Sequence, residues 1–235
     1  MSHTMTPDDA QEAHIVDRIY EAVIDQRLPP GTKLSEANLC TAFGVGRMRI
    51  RRSLLILASR EVVELQPNRG AYVAQPTAQQ AREVFEARLA IEPALSGVVA
   101  QKIRRVDAKM LAGLLKKEAH AHKAGDRREA IRLSGQFHVS LAELAGNSVL
   151  LRIVKDLVTR SSLIIGIYGD PGITNCRDDD HSAIVAALNL GDGAQAEALM
   201  HAHLSHITEH LRLERSPAAQ TDLITLFGTS SVQRR

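Results

Sequence analysis

The 235-residue chain has no tryptophan, and its aromatic residues amount to only 3%. That scarcity argues against a stacking platform for single strands or RNA, whose binders depend on aromatic rings. No apolar run approaches the roughly 18 residues that span a bilayer, so no membrane helix is expected. The opening residues, MSHTMTPDDAQEAH, are polar and acidic and do not read as a secretory signal. Two cysteines, Cys40 and Cys176, are too few for a disulfide framework or a zinc ribbon, and a reducing cytoplasm is the expected compartment. With 44% hydrophobic and 24% charged residues, what remains is an ordinary globular composition, long enough for two modest domains.

The net charge of +2 says little, but its distribution says more. Residues 1–43 carry seven acidic and three basic side chains, whereas residues 44–76 carry six arginines against Glu61 and Glu64. A first domain polarised in this way presents one cationic edge, as a phosphate-binding surface does.

Ile15, Ile19, Val23 and Ile24 recur at helical spacing, which predicts an amphipathic helix over residues 8–26, broken by Pro29-Pro30-Gly31. Ser35 is placed to cap a second helix, from Glu36 to Phe43, with Leu34 and Leu39 as a hydrophobic staple. Gly44-Val45-Gly46 is the tight turn of a helix-turn-helix. The next helix, Arg47–Ser59, is expected to carry Ile50, Leu54, Leu55 and Leu57 to the core. Two strands, Glu61–Pro67 and Ala71–Ala74, meet at the turn Asn68-Arg69-Gly70. Three helices and a hairpin make a winged helix. Arg47, Arg49, Arg51, Arg52 and Arg60 fall in a stretch without acids, and a guanidinium on a reading helix can grip phosphate or fork onto guanine. A solvated basic face is the plain alternative, but an arginine-tipped wing beside a helix-turn-helix points to duplex DNA.

The run LSEANLCTAFGVGRMRIRRSLLILASREVVELQPNRGAYV resembles the winged-helix signature of GntR-type bacterial transcription regulators. The resemblance implies that Arg47 and Arg51 occupy the two DNA-contacting arginine positions. It also implies that Gly70 is the wing-tip glycine that enters the minor groove, with Arg69 as its partner. Gly46 and Met48 stand where the family carries hydroxyl side chains, Arg49 replaces its proline and Arg52 its acid, so the helix is more basic and less well capped than usual.

After Gln75-Pro76-Thr77 the pattern is helical, in six stretches at about 77–103, 107–124, 126–145, 147–168, 177–190 and 193–213. Asp107, Asp126 and Asn147 are the expected caps; Gly146, Gly169-Asp170-Pro171-Gly172 and Gly191-Asp192-Gly193 are the expected breaks. The expected division is a DNA-binding domain at 1–75, an effector-binding and dimerising domain at 76–214, and a tail at 215–235 that is either a short helix or loose. His138, His181 and His203 lie on three different helices. Scattered histidines usually face solvent, whereas three converging in a bundle make a facial metal site with open positions.

The segments VFEARLAIEPAL, FHVSLAELAGNSVLLRI, DHSAIVAALNLGD and ALMHAHL, in that order, resemble the FCD ligand-binding domain of FadR-type regulators, in its six-helix, VanR-like form. The resemblance implies a mainly α fold, a homodimer on an inverted-repeat operator, and a small carboxylate effector. It further implies a divalent metal, zinc or nickel, held by an Asp and three His. The histidines map onto His138, His181 and His203, but the Asp position is Ser134, a poor ligand that weakens any metal held there. Without metal, the histidines would bind an anion directly. Arg88 matches an arginine beside the ligand; Glu92, one turn on, would satisfy it without an effector. His206 and His210 are substitute ligands or solvent-facing. A metal-dependent enzyme is a second reading, although the sequence has no His-Glu-x-x-His and no evident general base. A scaffold with a decayed winged helix, suggested by Gly46 and Met48, is a third.

Overall fold

The computed structural model describes residues 7–24, 27–169, 180–213 and 223–227. Ile15, Val16, Ile19 and Val23 recur every three or four residues along α1 (Pro7–Ile24) and are all buried. The side chain of Ile24, residues 25–26 and Cys176 lie outside the described residues, as does the expected break at 170–172. The chain divides into two units, Met1–Gln75 with Ser216–Arg235, and Pro76–Arg215.

In the first unit β1 (Lys33–Leu34) leads into α2 (Glu36–Phe43), whose first turn is capped by the Ser35 hydroxyl accepting from Asn38 N–H. Gly44, at φ 65°, closes α2 in the left-handed region, and α3 (Arg47–Ser59) follows after Gly46. The hairpin pairs β2 (Val63–Gln66) with β3 (Gly70–Val73), and β1 adds on the other side of β3, all antiparallel in the order β1-β3-β2. β2 begins two residues later than expected because Glu61 and Val62 still belong to the end of α3. Val62 N–H donates to Leu57 and Glu61 N–H to Ala58, a Schellman ending that puts Glu61 at φ 54°. The undecided C-terminal segment returns to this unit as α10 (Leu223–Phe227), with Leu223 and Phe227 buried and the Phe227 ring 5.1 Å from that of Phe43.

The second unit is a bundle of six helices: α4 (Ala78–Ala100), α5 (Arg105–Lys123), α6 (Arg127–Ala145), α7 (Ser148–Tyr168), α8 (Asp180–Leu190) and α9 (Gly193–Glu209). Six is the number of helical stretches that the sequence pattern leads one to expect. Thr77 and Gln80 form a reciprocal capping box on α4, Asp126 and Asn147 cap α6 and α7, and Gly146 ends α6 at φ 75°. Asp107 does not cap α5. The helix starts earlier, at Arg105, because the Asp107 carboxylate reaches back to the backbone N–H and guanidinium of Arg104. Phe137, Leu141, Val99, Ile184 and Leu204 belong to the continuous core between the helices. α9 starts close against α4: a Cβ on Gly193 would sit 3.2 Å from the Gly97 carbonyl oxygen. Among the described residues no helix is long and apolar enough to cross a membrane.

Candidate functional site

Two regions bring the expected site residues together: the outer face of α3 with the wing, and the centre of the helical bundle. On α3, Ile50, Ser53, Leu54 and Leu57 point inward, so the helical period turns Arg47, Met48, Arg51, Arg52 and Leu55 outward. Leu55 corrects the expectation that it faces the core: one turn beyond Arg51, it is 57% exposed, and Met48 is 67% exposed. Arg49 lies on another side of the helix, half-buried, where its Nη1 donates to Gln11 Oε1 of α1 at 2.5 Å. Arg51 remains exposed while its Nε donates to both oxygens of Glu36, at 2.9 and 3.0 Å. Among the described residues, Arg47, Arg52 and Arg69 have exposed guanidinium groups with no ion pair. The first turn of α3 has no side-chain cap, as glycine at position 46 dictates, so the N–H groups of Arg47 and Met48 are left for solvent or an anion, while that of Arg49 donates to the Gly46 carbonyl. At the wing tip Asn68 has φ 60° and Gly70 φ 98°, a backbone conformation that a side chain at Gly70 would strain. Tyr72 Oη donates to the Arg69 carbonyl and braces the tip.

In the bundle, His138 of α6, His181 at the start of α8 and His203 of α9 are all buried and converge. His203 Nε2 lies 3.1 Å from His181 Nε2 and 3.3 Å from His138 Nε2. Each ring is held from behind by a carboxylate. His181 Nδ1 is 2.9 Å from Glu118 Oε2 of α5, and His203 Nδ1 is 3.2 Å from Asp180 Oδ2. His138 Nδ1 is 2.6 Å from Glu92 Oε2 of α4, close enough for a strong electrostatic contact although off the ideal line of the ring N–H. Five helices thus contribute to one centre.

These contacts decide the tautomers. A carboxylate accepts and does not donate, so the Nδ1 atoms of His181 and His203 carry the proton and their Nε2 atoms present lone pairs, while the charge of Glu92 beside His138 Nδ1 favours the same tautomer there without a hydrogen bond. Burial, with Arg88 nearby, pushes the His138 imidazole down to about 4, although Glu92 pulls the other way. Burial and the neighbouring His181 push His203 down to about 3 against the opposing bond from Asp180. Both rings are therefore neutral near pH 7. Lone pairs on neighbouring Nε2 atoms repel unless a cation sits among them. Nitrogens held about 2.0–2.1 Å from one divalent ion, at tetrahedral or octahedral angles, fall about 3 Å apart, the spacing found here. The donor set fits a metal.

Arg88 is also buried, at 2% exposure, and lies behind the centre. Its Nε and Nη2 donate to Glu92 at 2.5 and 3.2 Å, and its Nη1 donates to Ser161 Oγ at 2.9 Å. Glu92 is thus the internal partner of Arg88, and it links Arg88 to His138 through one carboxylate. Burial opposes the charge on Glu92, but Arg88 and His138 outweigh it and hold the carboxyl well below its ordinary range. Ser134 stands one turn before His138 on α6, half-buried, with an interaction partner of its own.

The sequence reading missed Glu118 and Asp180 as ring-holding carboxylates. A signal for Glu118 existed: it falls at core spacing with Leu111, Leu114 and Ala121 on α5, and an acid on an apolar stripe needs a buried partner. Its Oε1 is buried with no hydrogen-bond partner among the described residues. A cavity of about 350 Å³ opens beside the centre at His203, lined also by Asp180, Leu199, Ala202, His206 and Glu209.

Comparison with known proteins matches residues 11–73 to the gntR family of bacterial regulatory proteins and residues 83–206 to the FCD domain. The HTH-type transcriptional regulator LutR of Bacillus subtilis (strain 168) is 25% identical over 206 residues, covering 78% of this chain and 93% of its own. The HTH-type transcriptional repressor RspR of Escherichia coli (strain K12) is 28% identical over 188 residues, covering 79% of this chain and 82% of its own. A crystal structure of a GntR transcriptional regulator from Rhodococcus sp. RHA1 superposes with a TM-score of 0.74 at 23% identity, covering 85% of this chain and 96% of that one. At that identity the superposition supports the fold alone.

Proposed function

The chain belongs to the GntR family of bacterial regulatory proteins, with an FCD domain following its winged helix, and is a DNA-binding transcription regulator; from that premise we propose that its bundle senses a small carboxylate through a divalent metal. The observation that carries the proposal is the meeting of three Nε2 atoms, each ring fixed from behind by an acid. His138, His181 and His203 would hold zinc or nickel. Glu92, Glu118 and Asp180 orient them and make them better donors. Bound there, the ion supplies positive charge and open positions for a carboxylate.

The tautomers of His181 and His203 favour this reading over direct binding of an anion by the histidines. An Nε2 lone pair repels an oxyanion, and Asp180 and Glu209 in the cavity wall repel it further. Ser134 adds no charge, so three neutral ligands leave the ion its full charge for an anionic effector, while holding it less tightly than a fourth, acidic ligand would. Arg88, paired with Glu92, acts through the carboxylate that holds His138.

Arg47, Arg51, Arg52 and the wing residues Arg69 and Gly70 form the DNA-reading surface in this proposal. Arg49 supports it from the α1 side. The Arg51–Glu36 pair is exposed, so a phosphate or guanine can replace the carboxylate at small cost. Two chains would engage the halves of an inverted repeat together in the cytoplasm. A change in head spacing on effector binding then loses the second contact and most of the affinity. The proposal assigns no catalysis.

The test is selection of duplexes from a random pool by the full chain, followed by binding titrations with zinc and a panel of small mono- and dicarboxylates. The proposal expects an inverted repeat, and a carboxylate response that disappears with EDTA and in His203→Gln. A carboxylate response indifferent to EDTA would contradict the metal, and failure to enrich any duplex would contradict the reading surface.

A further inference from the structure

A second group of ligand-type side chains lies outside the three-histidine centre. His206, Glu209 and His210, at the C-terminal end of α9, each offer one donor atom, and these atoms lie within 4.8 Å of one another. His206 and His210 are neighbours one turn apart, with ring centroids 4.2 Å apart. His210 Nδ1 donates to the His206 carbonyl at 2.8 Å, so this ring too has its tautomer fixed and its Nε2 lone pair directed elsewhere. Both imidazoles are half-buried and Glu209 is exposed, so the group is open to solvent but not loose.

The surroundings suit a cation. The last carbonyls of α9 give this end partial negative charge, and Glu209 adds a full one. The same cavity places His206 and Glu209 together with Asp180 and the buried His203. Two imidazole nitrogens and one carboxylate select a borderline transition metal over magnesium or calcium, which take oxygen donors.

We propose that His206, Glu209 and His210 form a second divalent transition-metal site, taking zinc or nickel, at the outer end of the cavity whose inner wall includes His203. It is more exposed than the three-histidine centre, so it binds the more weakly of the two. It uses none of the central ligands and stands whether or not the centre holds metal.

The experiment is calorimetric titration of zinc into the full chain, freed of metal with EDTA and dialysed, for the native protein and for His206→Asn with His210→Asn. Both substitutions lie near the surface, and circular dichroism is the check that the helices persist. The proposal expects the native chain to take two zinc ions in distinguishable steps and the double variant to lose the weaker step. Should the native chain take one ion that the double variant loses, the second site stands and the three-histidine centre falls. If the double variant titrates like the native chain, with one ion or two, the proposal is overturned while binding at the centre survives. No binding to either protein overturns both.

Discussion

At the residue scale, the behaviour of this chain turns on a few side chains whose surroundings leave them one role. Glu118 holds His181 and touches no other hydrogen-bonding partner among the described residues. Replacing it by Gln keeps the shape and removes the charge that makes the imidazole a better donor. Glu118→Gln is expected to weaken zinc binding about 10- to 100-fold with the fold retained, as a competition titration against a chromophoric chelator would measure. The histidines also predict a pH dependence. In the metal-free chain His138 titrates near 4 and His203 near 3, both below the 6.5 of a free imidazole. The unfolded chain therefore takes up protons first as pH falls, so the stability these neutral rings contribute is present above 6.5 and is lost on the way down through about 4. Each ring accounts for up to about 1.4 kcal/mol per pH unit. Urea midpoints of EDTA-treated protein should drop across that window and recover with zinc at its upper end; a flat profile would contradict neutral burial. The histidines were legible in the sequence as residues. The burial of Glu118 is legible in its helical spacing but its pairing is not, because Glu118 and His181 are distant in sequence and only helix packing makes them neighbours.

At the element scale, the helix-turn-helix was legible because its signals are local: the Ser35 cap, the Gly44 stop and the wing turn at Asn68-Arg69-Gly70 each depend on a few adjacent residues. A local rule does not carry the helical phase: Leu55 is apolar yet faces out, because Leu54 and Leu57 already define the buried side. The end of α3 is hidden in the sequence because no glycine stands where the helix turns left-handed. Glu61 holds that position instead, at φ 54°. Glu61→Gly should therefore stabilise the first unit by about 1 kcal/mol, read as a higher denaturant midpoint with unchanged slope. α10 was undecidable from sequence because five apolar-rich residues cannot form a helix without a surface to pack on. The structure supplies that surface at α2, where Phe227 meets Phe43. Phe227→Ala should cost the first unit about 3 kcal/mol, whereas a thermal melt unchanged by the substitution would show that α10 is not part of that core.

At the scale of the whole molecule, one chain carries both a cationic reading surface and a buried polar centre. Arg47→Ala with Arg51→Ala should weaken binding to every duplex and lower the salt slope of log K by about 2, one for each phosphate-type contact. Loss of discrimination with an unchanged slope would instead mean that the two arginines read bases only. Met48, exposed between them, has no charge to contribute and should alter base preference without changing the slope. The most direct measurement is an anomalous difference map from crystals of the full chain grown with zinc. The account predicts a peak within bonding distance of the Nε2 atoms of His138, His181 and His203, with the Nδ1 contacts to Glu92, Glu118 and Asp180 kept. A zinc-containing crystal with no peak there, the three rings turned apart or bonded to one another through a proton, would contradict it.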